Sequence, residues 1–384
     1  MDFSNVLNST STVVLLVLLL LSFVALLLYY GLFYLRLARY NDRSRPKASA
    51  VSERELPSVS VVLSAHNEAA FMKENLVYLL EQNYPDYEVV VVDYMSQDDT
   101  PFVLKVCGEN YSHLKVVKFR EDVNMFRGKK YPLSIGIKSA SKKVILLTEP
   151  ECVPKSFEWI REMMVSMRSD ATKMTAGVSI VKQEKGLVNA LQQYENLSLT
   201  ASYMGMALLG NPYTATGRNL ALRRDFFFGQ GAFVRHYKEP DGADDMFVNE
   251  NATKRNMAVC MEKDSIMQCD ASPNMRSWKL HRKHEYATRK YYGVADKLLM
   301  SIYPAGVALF YAALVWLLVQ GVFPWEVLVG VAVLKFGWQI LTFSLFAKRL
   351  EVKTIQFFAP FFEIYFWFAN TFLYIASLLK KKNL

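Results

Sequence analysis

The hydrophobic pattern predicts an α/β domain with a mostly parallel sheet, carried between transmembrane helices at its N- and C-terminal ends. Two features lead there. From residue 58 to residue 155, short apolar runs alternate with segments of helical period in the order βαβαβαβ, which is how a parallel sheet covered by helices reads in sequence. The apolar residues, 52% of the chain and above the soluble average, are concentrated at the two ends. The formal charge of +9 (45 basic, 36 acidic side chains) suits nucleic acid, an anionic substrate or a membrane surface. Much of the basic charge flanks apolar runs, which favours the membrane and argues against a nucleic-acid partner. Cys107, Cys152, Cys260 and Cys269 show no C-x-x-C pairing. They predict no disulfide framework, in keeping with a reducing compartment.

In order, Val13 to Leu35 is apolar apart from a Ser, a Gly and Tyr side chains. It exceeds the roughly 20 residues that cross a bilayer. A cleaved signal peptide would have a positive stretch before a shorter core, yet only Asp2 is charged ahead of this run. Arg36, Arg39, Arg43, Arg45 and Lys47 follow it. They place the N-terminus outside and the main domain in the cytoplasm. Residues 1–38 are thus an anchor, and 39–57, polar and without apolar period, a linker.

The strand Val59–Leu63 comes next, then Ser64-Ala65-His66-Asn67-Glu68 and a helix over Phe71–Glu81. The turn cluster Asn83–Asp86 leads to a Val-rich strand, Glu88–Asp93, which reads as buried on both faces. Ser96 to Pro101 turns the chain and caps a helix. Leu114–Phe119 is a third strand, Gly128-Lys129-Lys130 opens a helix to Ala140, and Val144–Leu147 is a fourth strand. Beyond it, Phe157–Met167, Leu187–Leu209 and Met246–Thr253 have helical period.

The fourth strand ends in Glu149-Pro150-Glu151. Pro150 lacks an N–H and helps stop the strand. Ligands of open α/β sheets bind past the carboxyl ends of the strands. Two carboxylates there repel unless a proton or cation lies between them, and Mg²⁺ or Mn²⁺ carrying a phosphate would serve. A solvated acidic turn is the alternative.

Several segments, in order, resemble a family-2 glycosyltransferase of the GT-A fold. They are Val59 to Asn67, Tyr84-Pro-Asp-Tyr-Glu-Val-Val-Val-Val-Asp93, Gly128-Lys-Lys, Leu146 to Pro154, Thr216-Gly-Arg-Asn-Leu-Ala221 and Asp244-Asp245. The resemblance covers roughly residues 57–290. Three departures stand out. Glu149-Pro150-Glu151 stands where the family usually has Asp-x-Asp, and Tyr94 where a second Asp often follows Asp93. The Gln-x-x-Arg-Trp signature of processive synthases is not intact; Trp278-Lys-Leu-His281-Arg282-Lys283-His284 is the nearest stretch.

The resemblance implies a role for each matched position. Ser64, Ala65, His66 and Glu68 would hold the nucleobase, and Asp93, otherwise a turn carboxylate, would accept one of its N–H groups. Lys129, beside Lys130 at a helix N-terminus, suits an anion, although both are equally at home on a solvated surface. Glu151, helped by Glu149, would hold the metal. Gly217 would let the backbone approach a ligand. Arg218 would meet phosphate or acceptor, or form a salt bridge, and Asn219 belongs with it. Asp245 would be the base that takes the acceptor proton, with Asp244 orienting the acceptor or adjusting its partner's pKa. Acidic residues favouring a helix N-terminus are the plainer account of that pair. Trp278, His281 and Arg282 would touch acceptor or diphosphate, and His281 with His284 also has a spacing usable for a metal.

These readings divide the domain, 58–275, into a nucleotide-binding half, 58–155, and an acceptor half, 156–275. Residues 276–297 read as a basic, aromatic segment at headgroup level. Residues 298–384 hold about three further spans: Leu298–Val322, Val327–Phe346 and Phe357–Leu379. The last is interrupted by Pro360 and Glu363 and has Lys380–Lys382 behind it. The expectation is a multi-pass protein of the inner (cytoplasmic) membrane. It would transfer a sugar, with inversion, from a nucleotide sugar to a lipid-linked or saccharide acceptor, with Mg²⁺ or Mn²⁺. A processive polysaccharide synthase and a catalytically silent scaffold of a membrane glycan-synthesis complex are the alternatives.

Overall fold

A computed structural model describes residues 10–42, 45–119, 128–237, 239–321, 323–353 and 355–379. Arg43, Val322 and Lys380–Lys382, used above as topology signals, lie outside the described residues. The structure divides into two compact units. One is Asn41–Tyr292; the other joins the chain up to Tyr40 with the chain from Gly293 onward.

The second of these units begins with α1 (Thr10–Tyr30), which continues through a π turn at Gly31–Leu35 to Ala38. In the Asn41–Tyr292 unit the elements are β1 (Val59–Ala65), α2 (Ala69–Leu80), β2 (Tyr87–Tyr94), α3 (Thr100–Asn110), β3 (Leu114–Phe119), α4 (Lys130–Ser139) and β4 (Val144–Leu147). β5 (Cys152–Pro154), α5 (Trp159–Val165), β6 (Met174–Gly177), β7 (Ser179–Val181) and α6 (Leu187–Leu209) follow. β8 (Leu220–Arg223), α7 (Arg224–Gly229), α8 (Asp244–Asn251), β9 (Met257–Cys260), β10 (Met267–Cys269) and α9 (Met275–Thr288) complete it.

The main sheet has the order β3-β2-β1-β4-β8-β6-β9. β1 runs parallel to β2 and β4, β2 to β3, and β6 to β9, while β8 is antiparallel to both neighbours. A mostly parallel sheet is therefore what the alternation encoded. β1 and the four consecutive valines Val89–Val92 are buried because both faces are covered. On one face Val61, Leu63, Val89 and Leu146 pack with Leu76 of α2 and Trp159 and Met163 of α5. Each such side chain contributes about 1.5–3 kcal/mol on burial. The register sets Ala65 beside Asp93, so the turns after β1 and β2 emerge side by side at the carboxyl edge.

Two expectations need correction. Residues 45–57 do not behave as a free linker. Short helical turns at Ala48–Ala50 and Glu53–Glu55 bury Ala48 and Val51 against Val165, and Arg45 pairs with Glu162 at 2.5 Å. Their apolar contacts are too few and too irregular to show as a period. The cysteines do form a disulfide, Cys152–Cys269. A second sheet, β5-β10-β7, sets β5 antiparallel to β10 with Cys152 opposite Cys269. The partners are 117 residues apart, so only tertiary pairing reveals them.

In the apolar unit, α1 is joined by α10 (Val294–Gln320), α11 (Trp325–Arg349) and α12 (Ala359–Leu379). Among the described residues three stretches, Thr10–Ala38, Val294–Gln320 and Trp325–Arg349, are long and apolar enough to cross a membrane. α12 carries Glu363, which is 3% exposed and ion-paired with Lys335 of α11 at 0%. Tyr30 also donates to this carboxylate, as do Tyr303 and Tyr311 at 2.8 and 3.0 Å. Lys335 donates to Gln339 at 2.9 Å. Every buried charge here has partners, which is the condition for tolerating it.

Candidate active site

At the ends of β1 and β2 two turns are locked together. The N–H of Asn67 donates to Ser96 Oγ at 3.0 Å, and the N–H of Gln97 to Asn67 Oδ1 at 2.8 Å. Asn67 and Met95 take left-handed backbone angles, φ +59° and +57°, which cost energy and are held only by such contacts. His66 donates from Nδ1 to the Tyr94 carbonyl at 2.6 Å. Asp93 is 5% exposed, and its Oδ1 is buried without a hydrogen-bond partner. An orphaned buried acceptor beside exposed His66 is a place where a ligand N–H would be welcome. Ser64 is half-buried, Ala65 buried, and Glu68 half-buried. Burial raises the Glu68 pKa against the pull of Lys129.

Past β4, the Pro150 carbonyl accepts Asn75 Nδ2 of α2 at 2.9 Å, and the Glu151 carbonyl accepts the Asp270 N–H at 2.9 Å. The disulfide at Cys152 follows immediately. The Glu149–Glu151 loop is thus fixed from three sides. Glu149 accepts Lys129 Nζ at 2.7 Å and Arg218 Nε at 3.0 Å; Arg218 Nη2 lies 3.7 Å from Glu151. The two carboxyls also hydrogen-bond to each other. Burial would raise Glu149, but Lys129 and Arg218 hold it well below the usual carboxylate range. Burial, then the charge of Glu149, pushes Glu151 up to about 7. Arg218 is held charged by both glutamates although burial opposes it, and Lys129 is raised chiefly by Glu149. This is a proton-sharing pair of acids under two cations. Among the described residues no cluster of three or more His, Cys, Asp or Glu gathers for a metal. Two carboxylates are nevertheless what a Mg²⁺-type ion needs when phosphates supply the rest of its shell. The donor set therefore fits such an ion.

A single turn carries the site across to α8. The Gly217 N–H donates to Asp244 Oδ2, and a Cβ on Gly217 would lie 3.0 Å from the Asp244 carboxyl carbon. The close backbone approach expected at Gly217 is thus to Asp244. Burial, with Asp245 and Glu149 behind it, pushes Asp244 up to about 7. Asp245 Oδ2 accepts Thr288 Oγ1 at 2.6 Å and Tyr292 OH at 2.8 Å, while its Oδ1 is buried with no hydrogen-bond partner. Burial raises the Asp245 pKa; Thr288, Tyr292 and Lys130 oppose the rise. Lys130, 3% exposed, donates to the His236 carbonyl at 2.8 Å. It lines a shallow cleft with Phe233, Arg235, His236, Gly242, Met246 and Glu250.

Three expected site residues are turned away. Asn219 is fully buried and saturated: Oδ1 accepts Trp159 Nε1 at 3.0 Å, and Nδ2 donates to the Val178 and Ser265 carbonyls at 2.8 and 2.9 Å. It braces the turn and has no surface for acceptor or diphosphate. Trp278 and Arg282 are also buried, both bound to Glu195 of α6, at 2.9 and 2.5 Å. Period explains it: Trp278, Arg282 and Tyr286 share one stripe of α9, and that stripe faces inward. His281, off the stripe, reaches Arg218 Nη2 at 3.3 Å and Glu285 at 3.3 Å. His284 turns to Asp241 at 2.8 Å, so the two histidines do not converge on one ion. Sequence reasoning missed Asn75, Glu195, Thr288 and Tyr292. Only the helical stripe of α9 hinted at Glu195's partners.

The sheet order and the site at its carboxyl edge define a GT-A-like domain. Residues 60–228 match the model of Glycosyl transferase family 2. It is 26% identical over 184 residues to Glycosyltransferase AglE of Haloferax volcanii, covering 47% of this chain and 57% of that one. It is 26% identical over 178 residues to the Probable glycosyltransferase YdaM of Bacillus subtilis, covering 44% and 41%. The chain thus spans about half the length of the curated relatives it matches. Among solved structures it is similar to the mannosyltransferase PcManGT from Pyrobaculum calidifontis, in complex with GDP-Man and Mn²⁺. The TM-score is 0.58 at 20% identity, over 88% of this chain and 98% of that one. At that identity the likeness is one of fold.

Proposed function

We propose that this protein is a membrane-bound inverting glycosyltransferase. It moves one sugar from a nucleotide-sugar donor to a membrane-associated acceptor, lipid-linked or saccharide, with its domain on the cytoplasmic side of the membrane. One observation carries the reading. Adjacent residues Gly217 and Arg218 bind two carboxylate pairs at once, Asp244 of the Asp244–Asp245 pair and Glu149 with Glu151. A donor's diphosphate and an acceptor's hydroxyl can then meet at one turn.

In this mechanism Asp93 accepts an N–H of the base, and His66 and Ser64 border it. Lys129 and Arg218 would face the diphosphate oxygens, and Glu149 and Glu151 would hold Mg²⁺ or Mn²⁺. When bound, the metal neutralises charge on the departing diphosphate. The acceptor hydroxyl oxygen attacks the anomeric carbon from the side opposite the diphosphate. The bond between that carbon and the phosphate oxygen breaks, and the nucleoside diphosphate leaves with the bonding pair. Asp245 takes the hydroxyl proton, and configuration inverts. Asp244, held by the Gly217 N–H, orients the acceptor. The broken Gln-x-x-Arg-Trp signature, with Trp278-Lys-Leu-His281-Arg282 as the nearest stretch, supports single transfer over processive synthesis.

Turnover of nucleotide sugars with and without Mn²⁺, in wild type and Asp245→Asn, tests the assignment. Loss of nucleoside-diphosphate release by a factor of about 10²–10⁴ is expected for the variant. Equal release by both proteins removes Asp245 as the base.

A further inference from the structure

The two oxygens of the Asp245 carboxyl live in different surroundings. Oδ2 is saturated by Thr288 Oγ1 at 2.6 Å and Tyr292 OH at 2.8 Å, both from the chain after α9 begins. Thr288 is 2% exposed and Tyr292 6%. A carboxylate only accepts, so the Tyr292 proton points at Oδ2, while the single Thr288 proton is divided between Oδ2, the nearer acceptor, and the Glu285 carbonyl at 2.9 Å. Thr214 Oγ1 lies 3.3 Å from the Tyr292 oxygen and 3.5 Å from the Ala215 carbonyl. Oδ1 has no hydrogen-bond partner although it is buried. Gly242, at φ +77°, packs its backbone against that edge; a Cβ there would come within 2.5 Å of Thr288 Cγ2 and 2.9 Å of Oδ1.

We propose that Thr288 and Tyr292 are positioning residues that clamp Oδ2 of Asp245 and reserve Oδ1 to take the acceptor proton. The proposal rests on Asp245 being the base. The step balances within the stated reaction: the proton leaves the acceptor hydroxyl as its oxygen bonds to carbon, and the new O–H forms at Oδ1. The clamp does two things. It fixes the carboxyl plane, so that one oxygen faces the reacting hydroxyl. It also donates hydrogen bonds to the ionised form, which opposes the rise that burial imposes on the carboxyl. The charged and titratable groups around Asp245 are Lys130 of α4, which favours the carboxylate, Asp244 of its own helix, which is pushed up by it, and Tyr292 with Arg289 beyond. None of these side chains donates to Oδ1; the Met246 N–H is a further donor that favours the ionised carboxyl.

The test reads the Asp245 titration directly and does not depend on a known substrate. The full-length protein in detergent, labelled with [γ-¹³C]aspartate, is titrated by carboxyl NMR, and the Asp245 signal is assigned by its loss in Asp245→Asn. Tyr292→Phe and Thr288→Val each remove one donor with little change of volume. Each is expected to raise the midpoint by about one pH unit, because a hydrogen bond to the charged form is lost. Thr288→Ser restores the donor and is expected to titrate like wild type. With a nucleotide sugar that wild type turns over, the acidic limb of kcat/KM moves to higher pH by the same amount, and donor KM is unchanged. A midpoint unmoved in either folded variant overturns the clamp. If Tyr292→Phe does not fold, Thr288→Val with Thr288→Ser decides. Full activity of Asp245→Asn would instead overturn the base assignment while the titration shifts remain, so the two failures are distinguishable.

Discussion

Glu149 and Glu151 hydrogen-bond to each other, and a proton held between them must leave before a divalent cation can use both carboxylates. Glu151 titrates at about 7 because it is buried beside the Glu149 charge. Its protonated form donates to Glu149, so cation binding releases a proton. Apparent affinity then scales as 1/(1 + 10^(7−pH)), which is about tenfold weaker at pH 6 than at pH 8, or about 1.4 kcal/mol. The sign follows from competition: low pH favours the proton, high pH the cation. Calorimetric titration of Mn²⁺ into the protein with GDP or UDP, at both pH values and in buffers of different ionisation enthalpy, reads affinity and proton release together. About 0.9 proton should be released at pH 6 and about 0.1 at pH 8. Asp244 also lies near 7 and is the rival source. Asp244→Asn should keep the slope, whereas Glu151→Gln should bind more weakly at pH 8 and lose it. A flat wild-type profile, or a wild-type slope in Glu151→Gln, refutes the argument.

Three further outcomes follow from buried groups. Glu195→Leu strands Arg282 as a buried cation and should cost about 3–5 kcal/mol, read as a drop of roughly 10 °C in the melting temperature; Glu195→Leu with Arg282→Met should recover most of it. Opening the disulfide with Cys152→Ser and Cys269→Ser closes no loop between residues 117 apart and should cost about 2–4 kcal/mol, seen as a lower midpoint in guanidinium. In the apolar unit, Glu363→Leu or Lys335→Met alone should destabilise the protein in detergent more than the two together, since each single change leaves the other charge buried; equal losses in all three would argue against a coupled pair.

How much of this was legible in the sequence depended on what each residue contacts. The parallel half of the sheet was readable because Val59–Leu63 and Val89–Val92 are continuous apolar runs, and burial on both faces demands that. The antiparallel strand β8 was not distinguishable, because the direction of Leu220–Arg223 is set by the connections around it. Glu149 and Glu151 could be named because carboxylates just past an apolar strand stand out, whereas Arg218, Asp244 and Asp245 were named through the family resemblance. Asn219, Trp278 and Arg282 were carried over by the same resemblance, and there it misled. A polar residue saturated by buried partners looks identical in sequence to one waiting for a ligand. The difference lies in Glu195, Val178 and Ser265, which are distant in the chain. Thr288 and Tyr292 left no trace at all: they lie 43 and 47 residues from Asp245, and nothing in α9 marks them.

Asn219 shows what a brace of this kind controls. Three consecutive residues do three different things: Gly217 binds Asp244, Arg218 binds both glutamates, and Asn219 ties the turn to Trp159, Val178 and Ser265. Neither carboxylate pair touches Asn219, yet both depend on where it holds the backbone. Asn219→Ala strands three buried polar groups at about 1–3 kcal/mol each, so the turn should loosen. Mn²⁺–nucleoside-diphosphate affinity and the Asp245 titration should then change together. Arg218→Ala removes charge from one pair only and should weaken Mn²⁺–nucleoside-diphosphate binding while the Asp245 midpoint stays. Trp159→Phe, which removes a single bond, gives a milder form of the Asn219 effect where Asn219→Ala does not fold. A folded Asn219→Ala protein with both readouts unchanged would mean that the two pairs are positioned independently of this turn.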